Sequence, residues 1–164
     1  MTMHTRALVI GLGNPLLGDD GVGIVASRLV RDVIAPSEAD VVEVYAGGLR
    51  LLDAMVGYRR VINVDALMSG VRGGSVHRLD VGELRRTKNL TSTHDTNLAT
   101  ALELGRTIGM EIPDHVRIVG VEVVDTSSFK EALSAVVAAA LPTVVREVVD
   151  FVRLHRSRHA HTAA

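Results

Sequence analysis

The sequence predicts an α/β domain, and three observations carry that prediction. Short apolar runs ending in glycine or an acid alternate with stretches of helical periodicity. Apolar residues make up 47% of the chain but aromatic residues only 2%, so Val, Leu and Ala must fill the core, as suits helices laid on a buried sheet. The length, 164 residues, lets one domain bury a single core. That domain is expected over residues 1–154, with 155–164 a mobile tail that has lost periodicity.

The elements follow in order. "RALVIG", Arg6 to Gly11, is a continuous apolar run and predicts a strand buried on both faces. "DDGVGIVASRLVRDVI" predicts a helix directly behind it, with Val22, Val25, Ala26, Leu29 and Val33 on one stripe and acids in the first turn, where the helix dipole favours them. "VVEVYA", Val41 to Ala46, and "RRVINVDAL", Arg59 to Leu67, read as strands two and three, with a short helix in "GGLRLLDAMVGY" between them. "GGSVHRLD" follows too closely for a helical crossover and predicts a fourth strand antiparallel to the third. "TSTHDTNLATALELGRTIG" predicts a helix through Leu98, Ala101, Leu102, Gly105 and Ile108, with Ser92 and Asp95 at capping-box spacing. "HVRIVGVEVVD" supplies strand five, and Pro142 opens a last helix carrying Val144, Val145, Val148, Val149 and Val152.

Composition excludes several functions. Lys and Arg number 18 against 19 Asp and Glu, so no global basic field attracts nucleic acid, and the few aromatic residues offer no base-stacking platform. With no cysteine there is no disulfide, no thiolate nucleophile and no thiolate metal ligand; a metal must be held by oxygen and imidazole nitrogen. The apolar run before Gly11 is too short for a signal-peptide core or a membrane span, which predicts a cytoplasmic protein without membrane insertion.

In open α/β sheets ligands bind outside the carboxyl ends of the strands. Three metal-competent positions map there: Asp19 or Asp20 after strand one, Asp65 at the end of strand three, and His94 at the start of the fourth-strand helix. If strands one and three are neighbours, their ends lie about 5 Å apart, and two carboxylates so close need a proton or a cation between them. A histidine in the first turn of a helix is held neutral by the dipole, hence competent as a ligand. Each residue also has an ordinary role: Asp caps helices and turns, and a helix histidine can simply face solvent.

The succession "GLGNPLLGDDGVG", "VINVDAL", "STHDTNLATALELGRTIG", "VRIVGVEV", "LSAVVAAALPTVVREVV" resembles, over almost the whole chain, the nickel-iron hydrogenase maturation endopeptidases. The resemblance implies a three-layer α/β/α sandwich on a mostly parallel five-stranded sheet with one antiparallel strand. It implies removal of a C-terminal extension from the hydrogenase large-subunit precursor once nickel has been inserted. The family's metal ligands fall on Asp20, Asp65 and His94, leaving Asp19 as a turn residue; Asn14, Gly47 and Gly48 match loop positions that receive the substrate. The nickel arrives with the precursor, and no tightly bound metal of the chain's own is expected. Many members carry an acid where this chain has Ala46, a difference that bears on which large subunit is accepted.

Two other readings meet obstacles. Peptidyl-tRNA hydrolases also open with "GLGNP" but continue through a segment supplying a catalytic histidine, where this chain reads "LLGDDGVG". A dinucleotide fingerprint needs glycine at position 16, occupied by Leu16, and Pro15 removes a backbone donor; only Glu43 echoes a ribose-binding acid. No Ser-His-Asp set, cysteine or Asp-Thr-Gly motif offers a nucleophile or aspartic dyad, which leaves metal-assisted hydrolysis.

Overall fold

Strands and helices alternate through the first three strands in a computed structural model that describes residues 4–86, 91–92 and 98–160. β1 (Ala7–Leu12) leads through a 3₁₀ turn (Gly18–Gly21) into α1 (Val22–Val33), then β2 (Ala39–Val44), α2 (Leu49–Met55) and β3 (Arg60–Met68). β4 (Val76–Asp80), α3 (Val81–Arg86), β5 (Thr91–Ser92) and α4 (Leu98–Thr107) follow, then β6 (His115–Glu122), α5 (Ala135–Ala138) and α6 (Leu141–Ala160). The sheet runs β2-β1-β3-β6-β4, with the two-residue β5 paired to the end of β3. β2, β1, β3 and β6 are parallel, β4 is antiparallel, and α1 with α6 on one face and α2 with α4 on the other complete three layers. This is the expected α/β/α sandwich.

Strand alternation divides the core in two. Ile62, Val64 and Ala66 of β3 join the α1/α6 cluster, whereas Val61 faces α2 and α4 with Leu8, Ile10, Leu12 and Ile118. Pro142 does lie in the first turn of α6, and Val144, Val148 and Val152 are buried beneath that helix.

Three expectations need correction. The buried residues of α1 are Val22, Gly23, Ile24, Ala26, Ser27 and Val30, while Leu29 and Val33 of the expected stripe are exposed and Val25 is half-buried. The helix turns its smallest residues to the sheet because it lies directly on the backbone. A Cβ on Gly11 would stand 2.3 Å from the Gly23 carbonyl oxygen, and one on Gly23 would stand 2.3 Å from those of Leu12 and Val64. A methyl at either site costs about 1–3 kcal/mol in overpacking or more. Second, β4 is antiparallel as expected but pairs with β6 instead of β3; β6 occupies the edge of β3, and only Thr91–Ser92 adds an antiparallel contact there. Third, Ile108 lies past the end of α4 and is exposed, because Gly109 with φ +77° ends the helix. Strand two is shifted two residues toward the N-terminus. Of the capping pair, Ser92 belongs to β5 and Asp95 lies outside the described residues.

Candidate active site

The loop after β1 is fixed by its own backbone. Gly13 has φ +145°, and a Cβ there would stand 2.0 Å from the Asp20 carbonyl oxygen, so the chain folds back on itself only with glycine at this position. Asn14 makes the turn: its Oδ1 accepts from the Leu16 N–H (3.0 Å), and its own N–H donates to Asp20 Oδ2 (2.9 Å). The substrate-receiving role expected of Asn14 therefore falls on a residue whose carboxamide oxygen already serves the loop. Asp19 and Asp20 sit in the 3₁₀ turn ahead of α1, both buried.

These adjacent acids have different fates. Asp19 Oδ1 accepts from the Ser134 N–H (2.6 Å), and its Oδ2 accepts from the Ser134 hydroxyl (2.9 Å) and from the Val124 and Asp125 N–H groups (3.1 Å each). It stitches the β1 loop to the segment between β6 and α5. Further bonds run alongside: the Gly18 N–H donates to the Lys130 carbonyl, the Lys130 N–H to Leu16, and the Asp19 N–H to Asp125. Lys130 also pairs with Asp125 at 2.9 Å, and together with Ser127 and Ser128 donors it holds the Asp125 carboxyl below the usual carboxylate range. Asp19 is thus more than the turn residue expected; no local sequence signal marks a partner more than a hundred residues away.

Asp65 is fully buried, with Oδ1 accepting from the Ala66 N–H (2.8 Å). By strand alternation it shares the α2/α4 face with Val61 and the buried Asn63. β1 and β3 are adjacent parallel strands, and the turn carrying Asp20 contacts β3, so the condition that would crowd the two carboxylates is met. His94 lies outside the described residues. Its flanks are described: Ser92 pairs with Leu67, two residues beyond Asp65, and Leu98 is buried in the α2/α4 core. Among the described residues no group of three or more His, Asp or Glu side chains is arranged to hold a metal.

A fourth buried acid at this edge escaped sequence reasoning. Glu122, at the end of β6, accepts from the Ser69 and Gly70 N–H groups at Oε1 (2.8 Å each) and from the Ser69 hydroxyl at Oε2 (2.8 Å). It fixes the loop after β3, and an acid inside the apolar run "IVGVEVV" was the available signal. Gly48 has φ +65° with open space around it and precedes α2, while Gly47 and Ala46 are half-buried in the same loop. Glu43 receives a two-pronged bond from Arg28 (3.0 and 2.9 Å) and another from the Tyr45 hydroxyl (2.8 Å). The Arg28 bond chiefly, then the Tyr45 bond, lowers its carboxyl to about 2. An acid so engaged is part of the wall, which removes the last echo of a ribose site.

Around this edge the loops expose apolar side chains: Leu16, Leu49, Met68, Val124 and, most of all, Phe129, 82% exposed on the segment that Asp19 secures. Among the described residues no helix is long and apolar enough to cross a membrane.

The hydrogenase maturation protease family model matches residues 24–151, beginning just past Asp20 and spanning Asp65 and His94. The hydrogenase 2 maturation protease of Escherichia coli is 31% identical over 119 residues, 71% of this chain and 72% of that protein. The hydrogenase expression/formation protein HupD of Thiocapsa roseopersicina is 25% identical over 155 residues, 92% of this chain and 69% of that one. The fold superposes on the hydrogenase maturating endopeptidase HybD from E. coli with a TM-score of 0.80 and 27% identity, covering 92% of this chain and 94% of that one. The chain belongs to the hydrogenase maturation protease family of endopeptidases.

Proposed function

We propose that this protein removes the C-terminal extension of a nickel-iron hydrogenase large-subunit precursor after nickel insertion, clasping the precursor's nickel between Asp20, Asp65 and His94. The observation that carries this reading is the burial of two carboxylates at the carboxyl edge of a chain of this family, Asp65 in β3 and Asp20 in the turn that follows the neighbouring parallel strand β1. Carboxylate oxygens with one imidazole nitrogen suit a borderline divalent cation and leave coordination positions open for the precursor's own ligands. The ion is thus part of the substrate, and the clasp brings the scissile bond into register. Water adds to the peptide carbonyl carbon, the C–N bond breaks, and the amine of the released extension takes up the proton.

The Gly13 turn and the Asp20 bond to the Asn14 N–H keep one carboxylate oriented before the precursor arrives. The exposed Phe129 and its apolar neighbours are suited to meet a folded protein partner, and the Gly47-Gly48 loop flanks the same edge. The reaction is assigned to the cytoplasm. The test is cleavage of nickel-loaded precursor by wild type, Asp65→Asn and His94→Ala. Both variants are expected to leave the precursor uncut while keeping the wild-type Tm to within a few degrees; full processing by either one overturns the clasp.

A further inference from the structure

Arg60 opens β3, and its backbone pairs with His115 at the start of β6, so both lie at the amino edge of the sheet, away from the acids. Alternation places them on the α1/α6 face, and the Arg60 guanidinium stands 5.9 Å from the centroid of the Phe151 ring of α6. The residue is 8% exposed, and its Nη1 is buried without any hydrogen-bond partner. A guanidinium stays charged, and native proteins that bury one almost always give it an anion.

Among the described residues no carboxylate takes that place. Beside Arg60 is a cavity of 390 Å³ bordered by Thr5, Arg59, Arg60, Asp114 and His115. Asp114, the one acid on that wall, is directed at Arg59 (3.2 Å), and both of those side chains are more than half exposed. The Arg59–Asp114 pair is internally neutral, so the net charge facing the cavity is that of Arg60. A ring face supplies only part of what hydration supplied to the guanidinium, and Nη1 remains to be satisfied.

We propose that this cavity binds a small oxyanion, a phosphate or carboxylate group, with Arg60 as its buried anchor and Thr5 and Arg59 on the rim. The site is at the opposite edge of the sheet from Asp20 and Asp65 and stands whether or not the clasp does. Its chemistry is the planar pairing of a guanidinium with two oxygens, which phosphate and carboxylate share.

Thermal unfolding of the full chain is to be followed in sodium phosphate, in sodium acetate and in sodium chloride at equal ionic strength and pH. At about ten times the dissociation constant the effective anion should raise Tm by about 3–6 °C over chloride. Protection by phosphate alone or acetate alone names the source of the oxyanion. Arg60→Met, which keeps an apolar stem over Phe151 without the charge, should lose that rise. Equal Tm values in all three salts, or a rise undiminished in Arg60→Met, overturns the proposal. Should Arg60→Met fail to fold, amide chemical-shift changes in wild type on titration with inorganic phosphate decide: changes centred on Thr5, Arg59, Arg60 and His115 support the site, and changes centred elsewhere overturn it.

Discussion

The two edges of the sheet bury opposite charges. Among the described residues, four carboxylates at the carboxyl edge, Asp19, Asp20, Asp65 and Glu122, are all but inaccessible, and the buried charge at the amino edge is the guanidinium of Arg60. The difference lies in how each charge is compensated. Asp19 and Glu122 draw loop N–H groups onto themselves and so build the frame of the carboxyl edge. Arg60 has an aromatic ring and an adjoining cavity instead. Within the carboxyl edge the acids divide again: Asp19 and Glu122 tie loops to other segments, whereas Asp20 and Asp65 are the two that the proposal assigns to the clasp.

The sharpest way to break that division is to compare the adjacent acids. Asp20→Asn should lower precursor processing by about 100-fold or more at unchanged Tm, since even indirect support of a metal ligand is worth 10–100-fold. Asp19→Asn should do the reverse. It sets an amide NH₂ against donors now satisfied by oxygen, costing about 1–3 kcal/mol and several degrees of Tm, while the folded fraction cleaves normally. Cleavage rates and melting curves measured together decide; an inactive but stable Asp19→Asn beside an active Asp20→Asn reverses the assignment.

The next effect is on recognition. Phe129→Ala should raise KM for the precursor about 5–30-fold with kcat and Tm little changed, because the side chain is exposed and a good interface anchor is worth about 1–2 kcal/mol. An unaltered KM would remove Phe129 from the docking surface. Ala46→Asp, which restores an acid common in the family, should alter preference among large subunits more than turnover on the native one.

A smaller effect concerns the free chain's hold on nickel. Two carboxylates and one imidazole without a thiolate should bind weakly and reversibly, and affinity should fall as pH drops through roughly 6 to 7, where an unperturbed imidazole takes up its proton. Calorimetric titration into protein with His155, His159 and His161 changed to Gln isolates His94 from the C-terminal histidines. Stoichiometric nickel retained through chelation, or equal binding by His94→Ala in that background, would contradict an open clasp completed by the partner.

The smallest effect comes from the wall. The Glu43 carboxyl is lowered from 4.5 to about 2, chiefly by the Arg28 bond, so ionised Glu43 stabilises the fold fully above about 4.5. That contribution is lost as pH falls toward 2. Glu43→Gln should therefore be less stable than wild type at neutral pH, and denaturant midpoints of the two should converge between those values. The exposed half of the pair limits the gap to about 1 kcal/mol.

The strands were legible because burial on both faces leaves a long apolar run, as in Ala7–Leu12 and Arg60–Met68. The buried face of α1 was not, because hydrophobicity marks Leu29 and Val33 while close approach to the sheet demands Gly23 and Ser27. Antiparallel β4 followed from a short connection, but its neighbour β6 is a pairing made across some forty residues. At the site, Asp65 and the Asp19–Asp20 pair could be picked out from their place toward the carboxyl ends of strands, while the choice of Asp20 came from the family resemblance. Asp19 could be given only a turn role and Glu122 none, since most of their partners are loop N–H groups, identical at every position of the sequence.

The bonds from Asp19 to Val124, Asp125 and Ser134 join positions 105 to 115 residues apart. During synthesis the β1 loop leaves the ribosome more than a hundred residues ahead of the segment that secures it. A nascent or truncated chain ending at Val123 could pair β1, β3 and β6 and still lack every one of those bonds. Bracing of the loop is thereby deferred until the chain has been made through Ser134, so a shorter chain has no braced site to offer a precursor.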